Sequence, residues 1–248
     1  MNNQQHYSPQ GFTFLPPVVK NLLIINGIMY LATLALSTQG IDLVSTLGLH
    51  YFSSERFQVW QFATYMFMHG SFNHVLFNMF ALWMFGYMLE NVWGSKRFLQ
   101  YYIYTGLGAA LIQLLVTYLR ISVLEGKMDP ASVDTVYREG LSVIERGMNY
   151  TNEQMATLNG MINAPMVGAS GAVFGILLAF GMMFPETKLY LYFLFPVKAK
   201  YFVIGYGLVE LFFGVANRPG DHVARFAHLG GMIVGFLLIK YWKRRGVY

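Results

Sequence analysis

Six strongly polar side chains stand inside otherwise apolar stretches of this sequence: His74, Asn78, Glu90, Ser170, Glu210 and His228. Such groups are costly in a bilayer and are functional candidates by default. Ser170 is the most unusual, lying between two glycines in "NAPMVGASGAVFGILLAFGMMFP", residues 163–185, where a polar segment gives way to an apolar run. A hydroxyl beside a neutral imidazole is an activated nucleophile. If Ser170 and His228 meet, His228 takes the serine proton during attack and later delivers it to the leaving amine. The oxyanion of the tetrahedral intermediate then needs donors. His74 and Asn78, four apart and so on one helix face, can supply them with the backbone N–H of Ser170. The spacing offers no carboxylate to orient His228; Glu90 and Glu210 read as structural or lipid-interface groups away from the site. Phe174, one turn deeper than Ser170, is placed to hold the imidazole by stacking, which gives a dyad rather than a triad.

Glycines supply a means of bringing the two residues together. Gly171 and Gly175 share a face of the fourth apolar segment, and Gly231 and Gly235 share a face of "HLGGMIVGFLL". Small residues four apart let helix backbones approach closely, so the fourth and sixth segments are expected to pack through these glycines. Two other readings of the same residues remain. Glycine-serine runs often serve packing alone, and His69, His74 and His228 could instead ligate a metal or haem. The second lacks any cysteine or H-E-x-x-H run to support it, so the expected chemistry needs neither metal nor cofactor.

The composition sets the class. Of 248 residues, 55% are hydrophobic and 12% charged, against roughly 25% charged in ordinary soluble domains. The chain is therefore read as an all-α membrane protein. Its lack of cysteine excludes disulfides and cysteine nucleophiles. The net charge of +5 is spread between apolar segments, which fits anionic lipid and not nucleic acid.

Six segments approach the roughly 20 apolar residues that a spanning helix needs: 21–38, 72–92, 98–119, 168–184, 201–216 and 227–242. The fourth is short, so its lead-in must be buried in protein or line a wet cavity. Lys20, Lys96, Arg97, Lys188, Lys198, Lys200, Lys240, Lys243, Arg244 and Arg245 fall on one side of a six-span arrangement, and Lys127 on the other. The positive-inside rule then puts both termini in the cytoplasm. Residues 1–20 and 243–248 are expected as cytoplasmic tails around a membrane domain at 21–242. A cleaved leader ending near "LATLALS" fits less well, because its n-region is long and nearly uncharged. The outward loop 120–167 carries two helical patterns, one opened by Asp129-Pro130 and one by a capping box of Thr151 and Gln154.

With these residues in view, the sequence resembles the rhomboid family of intramembrane serine proteases over roughly residues 57–240. The resemblance rests on "HGSFNHVLFN" (His69, His74, Asn78), on "GASG" (Gly168 to Gly171 around Ser170) and on "AHLGGMIVG" from Ala227. It implies a six-transmembrane-helix bundle with an outward-facing, water-filled cavity. Ser170 would be nucleophile and His228 general base, with His74 and Asn78 at the oxyanion. His69 is implied to be structural, and Phe174 to be the ring packed on the histidine. Substrates would be transmembrane proteins whose helices unwind easily. The fifth span and the 217–226 loop look like the family's gate and cap, with Gly214, Pro219 and Gly220 giving freedom to move. One departure is Trp60-Gln61, where the family often has Trp-Arg, so an anchor of the first outward loop is missing. The long loop after the third span is expected to restrict or guide substrate entry. A non-proteolytic rhomboid-like escort of membrane clients is the alternative function; such proteins usually lack the serine and histidine present here. A transporter or channel would want charges along a path through the membrane, whereas the polar set lies toward one side. The short tail suggests a bacterial cytoplasmic membrane.

Overall fold

A computed structural model describes residues 13–191, 194–216 and 224–246. Pro219 and Gly220, most of the N-terminal tail and the last two residues lie outside the described residues. Helices occupy all six apolar segments: α1 (Pro17–Ser37), α4 (Phe72–Trp93), α5 (Ser95–Glu125), α8 (Ser170–Met183), α9 (Ala199–Ala216) and α10 (Arg225–Arg244). Between α1 and α4 come two short helices, α2 (Leu43–Leu47) and α3 (Gln61–Thr64), and a 3-10 turn at Tyr65–Phe67. Between α5 and α8 come α6 (Pro130–Glu145) and α7 (Glu153–Asn163). Among the described residues α1, α4, α5 and α9 are long and apolar enough to cross a bilayer by themselves. α8 is shorter, at 14 residues, and α10 carries cations at both ends.

Helix α8 is the centre of the bundle. Ten of its fourteen residues are buried, and it packs against α4, α5, α9 and α10. The expectation that α8 and α10 meet through two pairs of glycines is half met. A Cβ on Gly231 would stand 1.8 Å from the Gly171 carbonyl oxygen, so those two backbones do touch. The lower pair faces elsewhere. A Cβ on Gly175 would meet Thr105 at 2.7 Å and one on Gly235 would meet the Tyr101 hydroxyl at 2.2 Å, both on α5. The reason is volume: Tyr101 needs space beside both helices, and its hydroxyl donates to the Gly175 carbonyl at 2.8 Å. α5 thus enters where the sequence suggested only two helices.

Helix starts and stops follow local chemistry. Ser71 caps α4 by accepting from the His74 N–H at 3.2 Å, and α4 ends at Gly94, whose φ of 77° suits glycine alone. Glu90 holds the start of α1. Its carboxylate accepts from the N–H groups of Val18 at 2.9 Å and Val19 at 2.8 Å, and from the Ser95 hydroxyl at 2.6 Å. These N–H groups have no intrahelical acceptor, so a buried acidic side chain there is a cap and a complement to the helix dipole.

At the end of the bundle bearing Ser170, α6 and α7 form a second small core. Val136, Leu158 and Ile162 pack there with Ile121 of α5 and Tyr51 of the first loop. Asp129 caps α6 as its sequence suggests. The cap of α7 is Asn152, accepting from Met155 N–H, rather than Thr151. Ser54 donates to Asn163 at 2.9 Å, and Arg56 pairs with Glu145. Gln61, which stands where the resemblance leads one to expect an arginine, is fully buried. Its oxygen accepts from the N–H of His50 and Gln58, and its amide donates to the carbonyls of Thr46 and Arg56. The first loop is therefore stitched internally.

At the opposite end, β1 (Lys188–Leu191) and β2 (Phe195–Lys198) form an antiparallel hairpin between α8 and α9. Glu186 pairs with Lys198 at 2.7 Å and with Lys200. Hydrogen bonds from these two lysines pull its carboxyl down to about 2.

Candidate active site

Ser170 is the first residue of α8, and its approach is built to hold it there. Leu49 and Met166 exchange both backbone hydrogen bonds at 2.8 Å, and Gly168 N–H donates to the Tyr65 carbonyl at 2.9 Å. The lead-in is thus tied to the first loop and to the 3-10 turn. Gly168 has a φ of +125°, and a Cβ there would lie 2.7 Å from His74 Nε2. Only glycine permits both the bend and the approach of this imidazole. The helical ladder starts with Val173 N–H to the Ala169 carbonyl at 3.0 Å. That leaves the N–H of Ser170 among the unpaired donors at the positive end of α8.

His228 sits near the start of α10, and Gly231 lets α10 approach α8 closely enough for its Nε2 to stand 2.8 Å from Ser170 Oγ. The Phe174 ring lies parallel to the imidazole, with centroids 4.1 Å apart and planes within 4°. Tyr206 of α9 packs against the Phe174 ring, with centroids 4.9 Å apart and planes tilted by 52°.

The sequence reading left His228 without a carboxylate, and this is corrected. Glu210 of α9 is buried and places Oε2 3.0 Å from His228 Nδ1. Arg225 Nη1 lies 3.5 Å from the same oxygen. A signal for Glu210 was present: Tyr206, Glu210 and Gly214 recur every four residues, so they form one face of α9. Nothing in the spacing alone says which helix that face meets.

Ser170, His74, Asn78, His228 and Phe174 line one open cavity of about 1730 Å³. Its wall also includes Gln113 and Arg120 of α5 and Glu153 and Thr157 of α7. The cavity is large enough for an extended peptide segment with water, and much of its wall is apolar. Asn78 is turned in part to its own helix, donating to the His74 carbonyl at 2.9 Å, which leaves its second amide N–H for the cavity. His69 is buried outside the cavity, its ring edge-on to His74 at 4.9 Å. Arg120 donates to the Gly214 carbonyl at 2.6 Å and stacks over Phe226 at 4.9 Å, holding the end of α9. Among the described residues no group of three His, Cys, Asp or Glu side chains has the geometry of a metal site.

Residues 56–245 match the family model described as Rhomboid domain. The chain belongs to the rhomboid family. It is similar to an uncharacterised mitochondrial rhomboid protein of Schizosaccharomyces pombe, at 38% identity over 89 residues, 34% of this chain and 23% of that one. It is similar to the mitochondrial rhomboid protein 1 of Saccharomyces cerevisiae, at 29% over 174 residues, 69% of this chain and 38% of the relative. It is also similar to the rhomboid protease GlpG of Yersinia pestis, at 26% over 175 residues, 66% of this chain and 62% of the relative. The chain thus spans less than two thirds of the length of each. This rhomboid protein is an all-α, multi-pass membrane protein.

Proposed function

We propose that this rhomboid protein is an intramembrane serine endopeptidase that cleaves transmembrane segments of membrane proteins. The observation that carries the reading is the 2.8 Å contact between Ser170 Oγ and His228 Nε2 on the wall of an open cavity inside an apolar bundle. The Yersinia relative, a rhomboid protease by name, supports the same class.

In this reading His228 accepts the Ser170 proton as Oγ bonds to the substrate carbonyl carbon. The resulting oxyanion is met by the N–H of Ser170, by a His74 ring N–H and by the free amide N–H of Asn78. Collapse breaks the peptide bond as the imidazolium gives its proton to the leaving amine, and leaves an acyl group on Ser170. Water, deprotonated by His228, then releases the acid and restores the serine. Substrate helices must open locally, since an intact helix hides its carbonyls in its own hydrogen bonds. Helix-breaking residues near the scissile bond are therefore favoured. Phe202 and Tyr206 of α9 and Glu153 and Thr157 of α7 line the cavity, so movement of α9, of which Gly214 is part, would gate substrate entry.

The domain membrane unit at 21–242, with α6 and α7 as an outward insertion, remains part of this proposal, as does the cytoplasmic placement of both termini, which the basic residues at the hairpin end support. The mitochondrial names among the relatives give no support to a bacterial cell membrane in particular.

A serine-reactive fluorophosphonate tests the chemistry without a substrate. Covalent labelling of the protein in liposomes should map to Ser170 by mass spectrometry and vanish in His228→Ala. A protein that stays folded yet unlabelled would contradict the proposal.

A further inference from the structure

Only four of the eighteen residues of α9 are buried, and one of them is Glu210; the others are Ala199, Val203 and Gly214. A carboxylate is an expensive choice for a position facing the inside of a membrane bundle unless opposite charge and hydrogen bonds offset its burial. Here both are supplied, by Arg225 Nη1 at 3.5 Å and by His228 Nδ1 at 3.0 Å. The other ring nitrogen of His228 is the one that contacts Ser170. Glu210, His228 and Ser170 thus form one continuous chain of hydrogen bonds contributed by α9, α10 and α8.

We propose that Glu210 is a positioning residue for His228, so that the site works as a Glu-His-Ser triad; this rests on the Ser170–His228 reading above. Stacking on Phe174 fixes the plane of the imidazole but does not select which nitrogen carries the proton. An acceptor at Nδ1 does: with Nδ1–H donated to Glu210, the Nε2 lone pair faces the Ser170 hydroxyl. The same carboxylate stabilises the positive imidazolium formed when the serine proton moves. Because the carboxylate comes from α9, and Ser170 and His228 do not, the triad is assembled only while α9 is docked. Arg120 on the Gly214 carbonyl and Tyr206 on Phe174 hold it there.

A purely structural Glu210 would tie α9 to α10 and nothing more. Loss of such a tie changes substrate access, and so KM, with kcat preserved. The test is cleavage of one single-span reporter in liposomes by wild type, Glu210→Gln and Glu210→Asp, with kcat and KM separated and fluorophosphonate labelling rates measured alongside. The proposal expects Glu210→Gln to lose about 10²–10⁴-fold in kcat with KM unchanged. Labelling should slow in parallel, and Glu210→Asp should recover part of the loss. Wild-type kcat in Glu210→Gln overturns it. A second measurement covers poor folding of these variants. In Ser170→Ala, which keeps Glu210, proton nuclear magnetic resonance should show a strongly deshielded Nδ1 proton on His228; a folded sample without it overturns the proposal. Failure of the wild type both to cleave and to label would instead remove the protease reading, and this inference with it.

Discussion

Replacing Gly231 with alanine probes how closely the packing of α8 on α10 is linked to the site. The new Cβ would stand 1.8 Å from the Gly171 carbonyl oxygen, where an ordinary contact begins at 3.4 Å. The obstacle is backbone, which cannot swing aside as a side-chain tip can, so the helices must separate by about 1.6 Å near this point. Gly171 directly follows Ser170, and Gly231 lies one turn from His228. The 2.8 Å contact between those two residues therefore opens by a comparable amount. A misplacement of about 1 Å can cost about 100-fold in rate, or about 2.7 kcal/mol of barrier. Overpacking adds about 1–3 kcal/mol of lost stability. Cleavage of a reporter in liposomes reads the first quantity and the unfolding midpoint in detergent the second. Gly27→Ala, with nothing within 4 Å of the new Cβ, serves as the control and should gain up to about 1 kcal/mol from helix propensity. A Gly231→Ala protein that cleaves at the wild-type rate would refute this link between packing and chemistry.

Three further outcomes follow from other parts of the molecule. Glu90→Ala leaves the N–H groups of Val18 and Val19 without their acceptor, and should cost on the order of 3 kcal/mol in detergent unfolding while labelling of Ser170 persists in the folded fraction. Burial pushes the His50 imidazole below its usual 6.5, so the fold holds the neutral ring, with Nε2 against the Ser45 carbonyl at 2.8 Å. That contribution is present above pH 6.5 and is lost as pH falls toward the lower folded value. Wild type should then lose more stability than His50→Gln between pH 7 and 5 in parallel unfolding experiments. Arg120→Gln frees the Gly214 carbonyl and the face of Phe226, and should speed hydrogen exchange at the end of α9 (residues 211–216) with the α8 amides unchanged.

Much of the bundle is legible in the sequence because polar groups and glycines stand out against lipid-facing runs. Ser170 and His228 are conspicuous for that reason, and the one-turn offset of Phe174 from Ser170 is a local relation that helix geometry makes readable. What escapes local spacing is which helix faces which. Gly175 and Gly235 look like partners, yet the bulk of Tyr101 directs both to α5. Glu210 looks isolated on its own span, and it reaches the site only because α9 packs against α10 with Arg225 and His228 on the facing turn. Gln61 appears as the loss of an arginine anchor until its four backbone partners are seen. The hairpin at 188–198 is hidden in an apolar, aromatic run that reads equally as helix or strand.

The measurement that bears most directly on the central claim is cleavage of a panel of single-span model substrates in liposomes by wild type, Ser170→Ala and His228→Ala. Catalysis by a Ser170–His228 pair predicts cleavage within the substrate's membrane segment by wild type, and its loss in both variants with unfolding midpoints unchanged. Undiminished cleavage by either alanine variant would contradict it.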